Sequence, residues 1–260
     1  MPLSNLPDFK ILSIKQLGYY CAANQDTLKE AHTLVTQNPS AAAPTILFLA
    51  GLFEELCAIS SSPALKPKMP SYRAPRTQWF LHIFSLEGIA HMQAALKLYH
   101  QAALKNDPSA QFRLGFCYEY GIGVIDSLEQ ALKLYTEASE QHHLEALCTL
   151  GFLYYHVVQP PDCKKAIASF TLAHDLTTSV SKNIVCNPYS IKPFYRINQN
   201  SNLNAAYYCG LYHGYALPHD PYRVNTERNP TSGLYFFKKA ALQGCKSACA
   251  IVALHYTKET

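Results

Sequence analysis

Residues 110–138 read AQFRLGFCYEYGIGVIDSLEQALKLYTEA, and this stretch decides the fold. In its second half Ala131, Tyr135 and Ala138 follow the i, i+4, i+7 spacing that puts small and apolar residues on one helix face. Ser127 with Gln130 has the form of a capping box, so a helix starts there. The first half carries a small residue followed by an apolar residue and Gly, as Ala110…Leu114-Gly115. Between the halves, Gly121-Ile122-Gly123 supplies a turn, because glycine tolerates positive φ. The stretch predicts two short antiparallel helices.

Working outward, both halves recur. Ala-Leu-Lys-Leu-Tyr stands at 95–99 and again at 131–135, and the first-half signature returns at Ala146…Leu150-Gly151 and Ala205…Cys209-Gly210. Weaker copies are Ser13…Leu17-Gly18, Ile46…Ala50-Gly51 and Ala248…Val252-Ala253. The two signatures are locked in phase. Ala31 to Gly51, Ala95 to Gly115, Ala131 to Gly151 and Gly233 to Ala253 are each 20 residues apart. Ala166, Phe170 and Ala173 repeat the second-helix face. Four residues before these markers, Thr27 (with Glu30), Asp162 and Asn229 are expected as caps, with Pro230 at the favoured first helical position. His91 is the poor member of that set. Fixed-period helix pairs with small residues at the contacts predict an all-α solenoid of stacked antiparallel pairs.

The run Ala110…Leu114-Gly115…Tyr118…Gly121-Ile122-Gly123-Val124…Ala131…Tyr135…Ala138 resembles a Sel1-like repeat, a helix-pair module related to the tetratricopeptide repeat. The resemblance extends from about Ser13 onward, so a single solenoid over residues 1–260 is expected. It implies a protein-interaction adaptor or scaffold with no catalytic residues and no cofactor. It also implies a protein or peptide partner. Family members occur in bacteria that live inside host cells, which keeps an effector acting on a host protein open as an alternative. A cysteine-rich, disulfide-stapled branch pairs cysteines in each repeat. Here only Cys245 and Cys249 lie close in sequence, which places the chain outside that branch.

Composition bounds the rest. Hydrophobic residues make up 48% and charged residues 15%, enough for a large core and too apolar for a disordered chain. A net charge of +4 is too small for a basic nucleic-acid-binding array, although RNA binding by helical repeats stays a third reading. The N-terminal residues have no basic, apolar export pattern, and no apolar run approaches the roughly 20 residues of a membrane span. A cytoplasmic protein with reduced, mostly buried thiols is expected, and no membrane insertion. The eleven histidines show no i, i+4 pair of the kind that holds zinc, and no metal site is expected. Ser179-Val180-Ser181-Lys182 matches a Ser-x-x-Lys motif without its companions.

Three inserts interrupt the repeat, at about 60–80, 177–203 and 218–229. The first carries Lys66, Lys68, Arg73 and Arg76 with no acid, so everything outside it balances at 18 basic against 18 acidic residues. Long loops in a compact array are either functional or solvated. Lys66, Lys68, Tyr72, Arg73 and Arg76 are candidate partner contacts. So are Tyr120, Tyr155 and Tyr208 on the first helices, since tyrosine adds interface area at low entropy cost. An enzyme or small-molecule pocket between inserts and array is the alternative. The final helix, with Ile251, Val252 and Leu254, would either cap the array or dock a partner or a second copy.

Overall fold

The structure is a computed structural model, and it describes residues 3, 6–12, 14–39, 41–61, 84–160, 162–180, 205–213, 230–242 and 245–256. Among these residues it is all-helical. A short 3-10 turn at Phe9–Ile11 precedes α1 (Ile14–Ala23), α2 (Gln25–Gln37), α3 (Pro44–Ser60), α4 (Leu86–Leu104), α5 (Pro108–Tyr120), α6 (Leu128–Glu140), α7 (Leu144–His156), α8 (Cys163–Val180), α9 (Ala205–His213), α10 (Pro230–Leu242) and α11 (Lys246–Tyr256). The described residues fall into two compact units, one ending at Ala146 and the other starting at Leu147. In the first, α3 packs on α2 and α4, α4 on α5, and α5 on α6. In the second, α9 packs on α8 and α10, and α10 on α11.

The repeat markers are the packing contacts. Ala31, Ala95, Ala131 and Ala166 are buried, and so are the aromatic residues four positions on: Tyr99, Tyr135 and Phe170, with Phe237 after Gly233. Val35 takes that place in α2. Each ring lies on the glycine of the preceding first helix. A Cβ added at Gly51, Gly115, Gly151 or Gly210 would fall 2.5, 2.9, 2.8 or 2.8 Å from the nearest ring carbon of Tyr99, Tyr135, Phe170 or Phe237. Real Cβ atoms do not come that close, so glycine is what lets the ring press onto the backbone. Ala253, which replaces glycine in the last copy, is exposed.

Where the ring is tyrosine, a carboxylate four residues after the glycine receives its hydroxyl. Tyr99 Oη donates to Glu55 Oε2 at 2.6 Å, and Tyr135 Oη to Glu119 Oε2 at 2.7 Å. Where the ring is phenylalanine no hydroxyl needs a partner, and the same position holds Tyr155 after Gly151 and Gly214 after Gly210.

The turns repeat as well. After the second helices, Asp107 N donates to Ala102 O and His143 N to Ala138 O, with Asn106 and His142 at φ 63° and 62°. This is a Schellman closure, and Asn and His are among the non-glycine residues that best tolerate the left-handed region. Between paired helices, Gly121 and Gly123 have φ 63° and 70°, as the turn predicted from sequence requires. Ile122 N donates to Cys117 O and Ser127 N to Tyr118 O. The next pair lacks the glycines yet keeps both bonds, Val158 N to Leu153 O and Asp162 N to Tyr154 O.

Ser127 and Asp162 cap as expected, accepting from Gln130 N and Lys165 N. Two expectations need correction. The N-cap of α2 is Asn24, and Thr27 is buried inside the helix. Helix α4 starts at Leu86, where Ser85 accepts from Gly88 N, so His91 lies within it and caps nothing. His143 is a cap that its sequence position did not reveal. It is buried, stacks on Phe112 at 4.8 Å, and accepts from Ala146 N through Nδ1 at 3.2 Å.

Three outcomes are expected. Gly115→Ala should cost about 1–3 kcal/mol in denaturant melts, because the added methyl meets the Tyr135 ring. Tyr135→Phe should cost about 1–3 kcal/mol by leaving the buried Glu119 short of a donor, whereas Glu119→Leu with Tyr135→Phe should cost less than the two singles summed. Burial holds His143 down at about 3, so the folded chain resists a proton that the unfolded chain takes up near 6.5. Its contribution is complete above pH 6.5 and is lost as the pH falls towards 3. Comparing the pH dependence of Tm with that of His143→Asn, which keeps a cap that does not titrate, should show a shallower acid slope in the variant.

Candidate functional site

In the first unit, Leu3, Leu6, Phe9 and Leu12 recur every third residue and all pack onto the helix core. The 3-10 turn gives Phe9 its direction. Asp8 caps it by accepting from Lys10 N at 3.3 Å, while Ile11 N and Leu12 N close back onto Asp8 O and Phe9 O. The Phe9 ring is 6% exposed and stands edge-on to Tyr20 of α1 at 5.1 Å and to Phe48 of α3 at 5.6 Å. The turn also lies against α5. The cleft beneath it is lined by Leu17, Phe48, Ser109, Phe112, Arg113 and His143, and about 10 Å³ of it stays empty. Burying Phe9 contributes about 2–3 kcal/mol.

Below the cleft lies a buried polar group. Glu55 accepts from Tyr99 on one oxygen and pairs with Arg113 of α5 on the other, and all three side chains are buried. A charge pair taken out of water is stabilised only when its hydrogen bonds are satisfied, and here the phenol supplies one of them. Cys21 and Cys117 flank it. Burial, more than the nearby charges, pushes both thiols up to about 12. They stay protonated, which removes them as nucleophiles. Burial, with the Glu119 charge beside it, likewise holds the Tyr135 phenol well above its ordinary value, so it stays a donor.

The neighbouring Glu54 faces the other way. Its Oε1 lies 2.6 Å from His32 Nε2 of α2 and its Oε2 2.6 Å from His91 Nδ1 of α4, so one carboxylate joins three consecutive helices. Both imidazoles are about a third exposed. Among the described residues no cluster of three or more His, Cys, Asp or Glu has a metal-binding arrangement.

The sequence-predicted contacts are placed unevenly. Lys66, Lys68, Tyr72, Arg73 and Arg76 lie outside the described residues. Tyr120 is half-buried, its ring 4.6 Å from Phe116, and Tyr155 is half-buried on α7. Tyr208 stacks on Phe170 at 4.6 Å and 4°, and burial pushes its phenol up to about 12. Tyr118 and Tyr154 are half-buried, and Lys165 Nζ lies over the Tyr154 ring at 5.3 Å. Ile251 and Val252 pack against α9 and α10 residues, while Leu254 is 63% exposed. Sequence reasoning missed Phe9, Leu12 and the buried carboxylates. The signal for the former was the three-residue period of Leu3, Leu6, Phe9 and Leu12. Acidic residues inside apolar helices gave no signal until their partners were known.

Comparison with known proteins agrees with this architecture. The sequence model of the Sel1 repeat matches residues 92–107, 108–143 and 203–245. No curated protein matches the chain. Among solved structures, a Sel1 repeat protein from Oxalobacter formigenes superposes with a TM-score of 0.59 at 17% identity, covering 97% of this chain and 76% of that one. A protective antigen of uropathogenic Escherichia coli strains, displaying an SLR fold, gives a TM-score of 0.45 at 16% identity over 87% of this chain and 43% of its own. The middle match, 108–143, coincides with the helix pair from which the reading began, and the ring-on-glycine contact recurs within or beside every match. The chain carries Sel1-like repeats over these stretches and shares the fold of Sel1-repeat proteins.

Proposed function

We propose that this chain is a protein-interaction scaffold rather than a catalyst. The observation that carries this reading is that its recurring residues are all spent on holding helix to helix: the glycines and rings, the hydroxyl–carboxylate pairs and the helix caps. An array built that way offers surface, and Sel1 repeats elsewhere suggest protein partners. The seven described cysteines are free thiols, five of them buried, which supports a reducing, cytoplasmic setting.

The basic insert is the charged part of the proposed contact. Lys66, Lys68, Arg73 and Arg76 supply four positive charges within 20 residues, and a patch of one sign speeds encounter with an acidic partner. Affinity capture from the cells that make the chain, followed by mass spectrometry, tests both parts. The expected result is a reproducible protein partner whose recovery drops at least fivefold when all four basic residues are changed to Glu. It should also weaken as salt is raised. Failure to enrich any protein over beads alone would overturn the scaffold reading. Undiminished recovery with the charge-reversed chain would overturn only the role of the insert.

A further inference from the structure

We propose that the N-terminal turn is a built-in occupant of a peptide cleft on the first unit. On this account a protein partner gains the cleft by displacing Phe9 and Leu12 with an aromatic residue followed three positions later by an aliphatic one. The inference rests on the scaffold reading and names one partner chemistry for it.

Three observations lead there. The hydrogen bonds described for residues 8–12 close within the turn itself: Lys10 N to the Asp8 carboxylate, Ile11 N to Asp8 O and Leu12 N to Phe9 O. The Lys10–Asp8 ion pair at 3.7 Å is internal too. What joins the turn to the helices is side-chain contact, chiefly the Phe9 ring between Tyr20 and Phe48. The turn can therefore leave with these backbone bonds intact. Second, the surface that Phe9 and Leu12 share is composite: Leu17 comes from α1, Phe48 from α3, and Ser109, Phe112 and Arg113 from α5. Third, a water-sized space of about 10 Å³ lies between the turn and residues that include Phe112 and His143. A segment of the same chain needs little affinity to hold such a site, because its tether keeps its effective concentration in the millimolar range. A partner must outcompete that tether, which makes the turn a threshold on binding.

The probe is the capped peptide Leu6–Leu12, LPDFKIL, carrying a fluorophore, measured by anisotropy against the full chain. Phe9→Ala in the chain empties the cleft, so the variant should bind the peptide at least tenfold more tightly than wild type. A peptide with Phe9→Ala should bind neither chain. Equal binding to wild type and variant, or none to a folded variant, would overturn the proposal. Should the variant not fold, 4-fluorophenylalanine at position 9 of the otherwise wild-type chain decides by fluorine NMR. Saturating unlabelled peptide should move its resonance to the solvent-exposed position, and an unmoved resonance counts against displacement. Peptide exchange without a captured partner would count against the scaffold reading alone. A captured partner without peptide exchange would count against the cleft alone.

Discussion

Everything in this array depends on a ring lying directly on a helix backbone. At Gly51, Gly115, Gly151 and Gly210 the preceding helix gives up its side chain, and an aromatic ring of a later helix fills the space. The contact is steric before it is energetic. It fixes how far apart the helices stand, because the ring cannot sink deeper than the backbone and nothing but glycine lets it come that near. Small residues on the same face of each second helix, Ala102, Ala138 and Ala240, are buried with the ring. Helix pairs held this way can stack in series.

That geometry was legible in the sequence because it leaves a period. Glycine and alanine at fixed phase, with an aromatic four residues after the alanine, can be counted without coordinates. Ser127, Asp162 and the Gly121–Gly123 turn were legible for the same reason, since each is a local requirement met by local residues. What could not be read was anything whose explanation lies on another helix. Glu55 looks like a surface residue of α3 until Tyr99 and Arg113, 44 and 58 positions away, are seen to converge on it. Glu54 is satisfied by two histidines from flanking helices, and one of them, His91, shows in the sequence only as a residue ill suited to a cap position. His143 misled in another way: a residue type associated with surfaces or metals serves here as a buried helix cap, a place Asp107 fills one repeat earlier.

The candidate cleft shows the same division. Its floor is built from repeat positions and could be anticipated as helix surface, whereas its cover comes from residues ahead of the first repeat, which obey a three-residue period of their own. Two periodicities meet at Phe9. The basic residues of the first insert belong to neither period.

The pairing of tyrosine with carboxylate also sets an order on how such an array can change. Two of its ring contacts use a hydroxyl and an acid, and two use neither. Moving from the first kind to the second takes two replacements, and they are not interchangeable in time. Losing the hydroxyl first takes a donor from a buried carboxylate, whereas replacing Glu119 with a neutral acceptor such as glutamine first keeps the hydroxyl occupied. The acid must yield before the ring does. Where phenylalanine lies over the glycine, the fourth position after it is accordingly free of acid, as Tyr155 and Gly214 show.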